Sequence, residues 1–228
     1  EVLSLGRYPY KGWWGKTDST DLYLMEKALD NTKIQHLAHR QIAELSDGEK
    51  QKVMIARALS QDTDFILLDE PTSHLDLPSK IEVMALLKEL AHKWKKAILV
   101  STHDLNLAIQ AADKFWLINK AGNFDQGTNE DLILKGALNE CFEMENNRYN
   151  FSTGKITFPS EQLLSVAIKG EGPQYTWTMH AFERMGYRIM EESNLNIEFA
   201  GNGRWILGYS GNHLECRSIE DLIRNVRE

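Results

Sequence analysis

Residues 65–70 read FILLDE, an apolar run that stops abruptly at two acids. Four consecutive apolar side chains with no polar alternation predict a buried parallel strand. Asp69 and Glu70 then emerge at its carboxyl end, where ligands of open α/β sheets bind. One acid there suits Mg2+, directly or through water, and its neighbour is placed to polarise a water for attack on a phosphoryl group. By itself the pattern also fits a strand that ends in solvated acids.

The flanking sequence sets this strand in an alternating pattern. Upstream, Ser46 opens SDGEKQKVMIARALSQD, a capped helix whose buried side is Val53, Ile55, Ala56, Ala58 and Leu59. Ser46, Asp47, Gly48 and Glu49 form its N-terminus, where free N–H groups and the positive end of the dipole suit an anion, although an ordinary N-cap has the same appearance. Downstream, residues 78–93 read as a helix and AILV (97–100) as a second buried strand. His103, in Ser101-Thr102-His103-Asp104, then falls at the end of that neighbouring strand, as a chemical group or as a hydrogen-bonded histidine without one. KFWLINK is a third strand before a turn at Ala121–Asn123, and residues 18–43 read as helices. Strand and helix signals in alternation predict an α/β domain.

A Gly-Lys-Thr triplet at residues 15–17 raises the prospect of a phosphate cradle, G-x-x-x-x-G-K-[ST]. The first glycine of that motif would fall on Tyr10, and an aromatic loop, YPYKGWW, stands where a buried strand is needed, so the triplet reads as an exposed turn. Beyond about residue 140 the texture changes. NNRYNFSTGKITF reads as a polar hairpin or linker with a break at Pro159, LLSVAIKG as a strand, and TWTMHAFERMGYR as a helix. NIEFAGNGRWILGYSGNHLECRS then reads as three strands joined by Gly-Asn turns, and Ser218 caps a last helix with Asp221 in the reciprocal position. The expected domains are 1–158 and a small α+β unit at 159–228. The 228 residues carry 26 basic and 33 acidic side chains, a net charge of −7 that argues against a nucleic-acid-coating surface. Two cysteines, Cys141 and Cys216, lack metal-ligand spacing. No apolar run reaches the length of a membrane span.

Taken together, LSDGE (45–49), FILLDEPTSHLD (65–76) and VSTHD (100–104) resemble the signature, Walker B with D-loop, and switch-histidine segments of ABC transporter ATPase subunits. The fold implied is an α/β P-loop NTPase-type ABC ATPase domain, with an incomplete parallel sheet and a helical subdomain, followed by the α+β unit. The resemblance implies ATP and Mg2+ as cofactors, with Asp69 supporting the metal, Glu70 as general base and His103 at the γ-phosphate. Ser46, Asp47, Gly48 and Glu49 would cap ATP held by a second copy of the subunit, and Asp76 would link the two sites. Asp47 and Glu49 depart from the commonest form of the signature, and Asp47 places a negative charge beside a phosphate.

EVLSLGRYPYKGWWG and the helix after it look like the stretch preceding the signature in importers of ferric siderophores, haem and cobalamin. That subgroup implies membrane-embedded permease subunits as partners, indirectly a periplasmic or surface substrate-binding protein, no nucleic acid, and a cytoplasmic position on the inner face of the membrane. Tyr8, Tyr10, Trp13 and Trp14 would be a docking surface or packing aromatics. The family's domain starts about a hundred residues earlier, and its P-loop strand lies between the AILV and KFWLINK strands. The expectation is therefore a fragment with a gap in its sheet and no ATPase activity alone. Two alternatives stay open: a soluble ABC-type ATPase acting on nucleic acid or ribosomes, and a non-enzymatic product with a regulatory or dimerising C-terminal module.

Overall fold

Side-chain caps mark the start of most helices in the N-terminal half. The computed structural model describes residues 1–11, 16–142, 149–150, 155–156, 164–209 and 211–227. They divide into two compact units, Glu1–Cys141 and Phe142–Glu228. Helix α1 is Val2–Gly6 and α2 is Ser19–Thr32, the latter capped by Asp18 Oδ1 accepting from the Asp21 N–H at 2.7 Å. Asp21 is buried with Arg7, whose Nε donates to it at 2.8 Å and whose Nη1 donates to the Ser60 carbonyl at 3.0 Å. One guanidinium thus fastens α1 to α2 and to the end of α3, Asp47–Leu59. Its planar fork serves partners in several directions.

The helical reading of residues 18–43 holds only in its first half. Lys33 turns left-handed at φ 60°, its N–H and that of Ile34 close back on Asp30 and Leu29, and two short 3₁₀ turns follow at Gln35–Leu37 and Ile42–Glu44. Burial of Ile34 and Leu37 in the core outweighs the helical periodicity of the segment.

Strand β1, Phe65–Asp69, pairs in parallel with β2, Ala97–Ser101, in the register Phe65↔Ala97 to Asp69↔Ser101; α4, Leu77–Trp94, connects them. The expectation of fully buried strands is corrected here. Ile66, Leu68, Ile98 and Val100 join the core with Val53, Ile55 and Ala56 of α3 and Val83, Leu87 and Leu90 of α4. The other face, with Phe65 and Leu67, is open, and Leu67 is 67% exposed. Four apolar residues in a row do not distinguish a strand covered on both faces from one covered on a single face.

After α5, Leu105–Ala111, strand β3 (Phe115–Ile118) pairs antiparallel with β4 (Phe124–Gly127) in a separate two-stranded sheet. Among the described residues β2 and β3 share no ladder. Helices α6, Asn129–Leu134, and α7, Ala137–Cys141, complete the unit.

In the second unit, β5 (Tyr149–Asn150) pairs with β6 (Lys155–Ile156). A five-stranded sheet follows in the order β11-β10-β9-β7-β8, with β7 Ser165–Lys169, β8 Arg188–Met190, β9 Leu195–Gly201, β10 Arg204–Tyr209 and β11 Asn212–Cys216. Helices α8, Gly172–Arg184, and α9, Ile219–Arg227, supply Phe182 and Leu222 to a core with Val166, Ile197, Trp205 and Leu207. The Trp205 indole N–H reaches Thr178 Oγ1 at 3.0 Å, which satisfies two buried polar groups at once. The three C-terminal strands and the Ser218 cap follow the sequence reading, with Ser218 Oγ accepting from the Asp221 N–H at 3.0 Å. Strand β8 was not expected. It takes Arg188 out of the stretch read as helix, because Gly186 at φ 88° ends α8 early. The aromatic-loop reading at Gly12–Gly15, including Trp13 and Trp14, and the break at Pro159 fall outside the described residues. No helix among the described residues is long and apolar enough to cross a membrane.

Candidate active site

The parallel pairing of β1 and β2 brings their carboxyl ends side by side, and the candidate chemistry collects there. Ser101 sits opposite Asp69 in the ladder; its hydroxyl donates to Asp69 Oδ1 and accepts from the Glu70 N–H at 3.1 Å. The Glu70 N–H also faces the Ser101 carbonyl at 3.1 Å, so the ladder continues one residue past the strand. Glu70 then turns left-handed at φ 47°, a conformation that costs a non-glycine residue about 1–2 kcal/mol. Its carbonyl accepts from the Ser73 N–H at 3.0 Å and the Ser73 hydroxyl at 2.9 Å, which holds the turn.

This turn aims the Glu70 carboxylate at the end of β2. Glu70 Oε2 lies 2.9 Å from His103 Nδ1, at ion-pair distance but outside hydrogen-bond geometry. Oε2 is a buried oxygen with no hydrogen bond among the described residues. A buried acceptor left unpaired is costly unless something arrives to use it. Asp69, Glu70 and His103 therefore stand together in one cluster, as their spacing predicted. Asp104, next to His103, serves structure instead. It caps α5 and binds Lys80 of α4 at 2.9 Å, and that lysine holds its carboxyl below the usual aspartate range.

Ser46, Asp47, Gly48, Glu49 and Asp76 form a second group, at the facing N-termini of α3 and α4. Ser46 and Glu49 make a capping box, with Ser46 N–H donating to Glu49 Oε2 at 2.8 Å and Ser46 Oγ accepting from the Glu49 N–H at 3.3 Å. These bonds, the Ser46 backbone first, hold the Glu49 carboxyl below its usual range. Asp47 is exposed and pairs with Lys50 at 3.0 Å, which offsets the charge that the sequence reading set against an anion. Asp76 caps α4 by accepting from the Ser79 N–H at 3.0 Å, and Ser79, its side chain first, lowers the Asp76 pKa. Gly48 is where the two helices touch: a Cβ there would stand 2.8 Å from Ser79 Oγ and 3.0 Å from Ser79 Cβ. No hydrogen bond or ion pair among the described residues joins this group to the Asp69–Glu70–His103 cluster.

Ser101 is the participant that the sequence did not reveal. Its only signal is its place directly after an apolar strand, which says nothing of where the hydroxyl turns. For Mg2+, the carboxylate of Asp69 at a strand end is a suitable donor, since this ion takes one or two protein carboxylates and keeps water and phosphate oxygens for the rest.

Parallel β1 and β2, linked by α4 and packed against α3, form an α/β arrangement of the P-loop NTPase type. Residues 10–73 match the family model "ABC transporter", and residues 164–227 match "Iron ABC transporter C-terminal domain". The chain thus carries part of an ABC transporter ATPase domain followed by an iron ABC transporter C-terminal domain. It is 37% identical over 168 residues to an ABC transporter ATP-binding protein of Methanocaldococcus jannaschii, covering 74% of this chain and 58% of that one. It is 39% identical over 145 residues to the achromobactin transport ATP-binding protein of Dickeya dadantii, covering 64% and 54%. A solved transporter described as metal-chelate type, in an inward-facing conformation, superposes with a TM-score of 0.58 at 34% identity, over 63% of this chain and 57% of that one. The chain spans a little over half the length of these relatives.

Proposed function

We propose that these residues belong to the ATP-hydrolysing subunit that powers an ABC importer of ferric siderophore, haem or cobalamin. The observation that carries the reading is the buried, unbonded Oε2 of Glu70, held beside His103 at the carboxyl ends of two parallel strands. Such an oxygen is a ready acceptor for the proton of an attacking water, and the backbone turn at Glu70 keeps it in place. His103, 75% exposed on its side chain, has its other face free to meet a terminal phosphate. Asp69 would hold Mg2+, which when bound neutralises charge developing on the phosphoryl oxygens.

Ser46 and Gly48 would close over ATP held by a second copy, and Asp76 lies on the neighbouring helix cap to connect the two sites. Membrane-embedded permease subunits and, indirectly, a periplasmic or surface substrate-binding protein are the remaining partners, with the ATPase subunit on the inner face of the membrane. The match of residues 164–227 to an iron ABC transporter domain supports iron-containing cargo. The 228 residues contain no G-x-x-x-x-G-K-[ST] cradle, so we propose that by themselves they do not turn ATP over.

The test is Glu70→Gln in the whole transporter, assembled with its permease. Turnover should fall by about 10²–10⁴-fold, the range for loss of a general base, while ATP remains bound. Turnover that survives this change removes Glu70 from the role of base.

A further inference from the structure

The hydroxyls around the carboxyl ends of β1 and β2 have different tasks. Ser73 Oγ donates to the Glu70 carbonyl at 2.9 Å and holds the turn from its far side. Thr102 Oγ1 accepts from the Asp104 N–H at 3.0 Å, beside the cap of α5. Among the described residues, Ser101 Oγ is the hydroxyl bonded to both Asp69 and Glu70: it donates to Asp69 Oδ1 and accepts from the Glu70 N–H at 3.1 Å. A serine hydroxyl has one proton to give and lone pairs to receive with, so both bonds can be made at once.

The register of the two strands puts Ser101 in reach. Side chains alternate along a strand, and Ile66 and Leu68 take the core, so Phe65, Leu67 and Asp69 stand on the other face. The parallel ladder sets Ser101 directly beside Asp69. From there its hydroxyl donates sideways into the carboxylate, which an apolar strand residue cannot do. An aspartate carboxylate turns broadly about its last bond, so either oxygen can meet a ligand unless one is held. Here Oδ1 is held. Asp69 is exposed, and among the described residues no hydrogen bond or ion pair engages its Oδ2.

We propose that Ser101 is a positioning residue for a divalent cation: its hydroxyl holds Asp69 by Oδ1 and leaves Oδ2 as the atom that meets the metal. The inference rests on the ATPase reading above, which supplies the cation. Mg2+ takes few protein carboxylates and keeps waters and phosphate oxygens for its other positions, so one carboxylate held in advance is a fitting share. Groups that hydrogen-bond a metal-binding carboxylate fix its orientation, and their removal costs metal affinity about 10–100-fold. The same hydroxyl receives the Glu70 N–H, so one side chain sets both the place of the cation and the start of the turn that carries the base. That N–H also has the Ser101 carbonyl as a partner at 3.1 Å. Loss of the hydroxyl should therefore fall on the metal more heavily than on the turn.

The test compares Ser101→Ala and Ser101→Thr with the wild type in the whole transporter. Mn2+ is the probe, titrated with a non-hydrolysable ATP analogue supplied at one equivalent per site, and the loss of the free-ion signal in electron paramagnetic resonance reads its binding. Binding of the analogue itself is measured separately by calorimetry in excess chelator. Ser101→Ala should weaken Mn2+ binding by about 10–100-fold and leave metal-free binding of the analogue unchanged. Ser101→Thr restores a hydroxyl on a β-branched residue suited to a strand and should recover the Mn2+ affinity. Mn2+ binding unmoved by Ser101→Ala overturns the proposal. So does a parallel loss of metal-free binding, which marks a general disturbance of the strand end, and so does a threonine that recovers nothing. The Glu70→Gln result is separate: a base wrongly assigned leaves the Mn2+ shift standing, and an unmoved Mn2+ affinity leaves Glu70 as the base.

Discussion

Gly48 shows how little room a single residue has where two helix starts meet. Added as a methyl group, its Cβ would press on both side-chain atoms of Ser79. Ser79 donates its backbone N–H to the Asp76 cap, so its Cβ stays in place even when its hydroxyl rotates away. Overpacking of this kind costs about 1–3 kcal/mol, more than the gain of up to about 1 kcal/mol that alanine has over glycine in a helix. Gly48→Ala should lower the midpoint of chemical denaturation, and Ser79→Gly in the same chain should recover most of the loss. No recovery would mean that the contact is not what limits position 48. At this scale the sequence was informative where spacing carries geometry. Asp69, Glu70 and His103 were legible as neighbours because each follows an apolar strand. The Ser101 hydroxyl and the left-handed turn of Glu70 were not, because a hydroxyl's direction and a non-glycine residue at positive φ leave no mark in the residue pattern.

Helix α1 is only five residues long, and it is held by close approach rather than by its own propensity. A Cβ on Gly6 would stand 2.3 Å from Ser60 Oγ and 2.4 Å from the Arg57 carbonyl oxygen. A backbone atom of α3 cannot give way, so Gly6→Ala should separate α1 from α3 and destabilise the unit by about 3 kcal/mol, at the upper end of overpacking costs. Urea unfolding would read the loss. Ser60→Ala should not rescue it, since the carbonyl remains, and a rescue would point to the side chain alone. Elements were legible in proportion to their length and punctuation. Helix α3 begins where Ser46 said it would, and α4 contains the stretch 78–93 read as helical, with Asp76 as a cap that the reading did not name. Residues 33–43 failed because Ile34 and Leu37 are at helical spacing yet reach the core from short turns. Strand β8 failed because three residues are too few to show alternation.

Across the whole molecule, the carboxylates held below their usual range are unevenly distributed. Among the described residues they are Asp21, paired with Arg7; Glu49, bonded by the Ser46 backbone; Asp76, bonded by Ser79; Glu89, bonded by Lys33; and Asp104, bonded by Lys80. All lie in Glu1–Cys141. A carboxyl whose folded pKa is depressed stabilises the fold above its unfolded pKa, and that stabilisation is lost as pH falls through the folded value. Solvent screening keeps each contribution small, but they share one sign. Below the ordinary values of 3.8 for aspartate and 4.5 for glutamate, the first unit should therefore loosen before the second. Amide exchange followed by NMR, with Trp205 and Phe182 reporting on the second unit, would show the order; simultaneous loss of both would contradict it. The change of texture near residue 140 lies at the division into units, but the boundary expected at 158/159 differs from it, and the open face of β1 and β2 was not legible.

That bare face, where Leu67 and Phe65 meet solvent, lies opposite the side that packs against α3 and α4. Covering apolar surface contributes about 25 cal/mol per Å² and makes no demand on direction, so a segment or partner seated there would be held by area alone and would tolerate exchange of one aliphatic side chain for another.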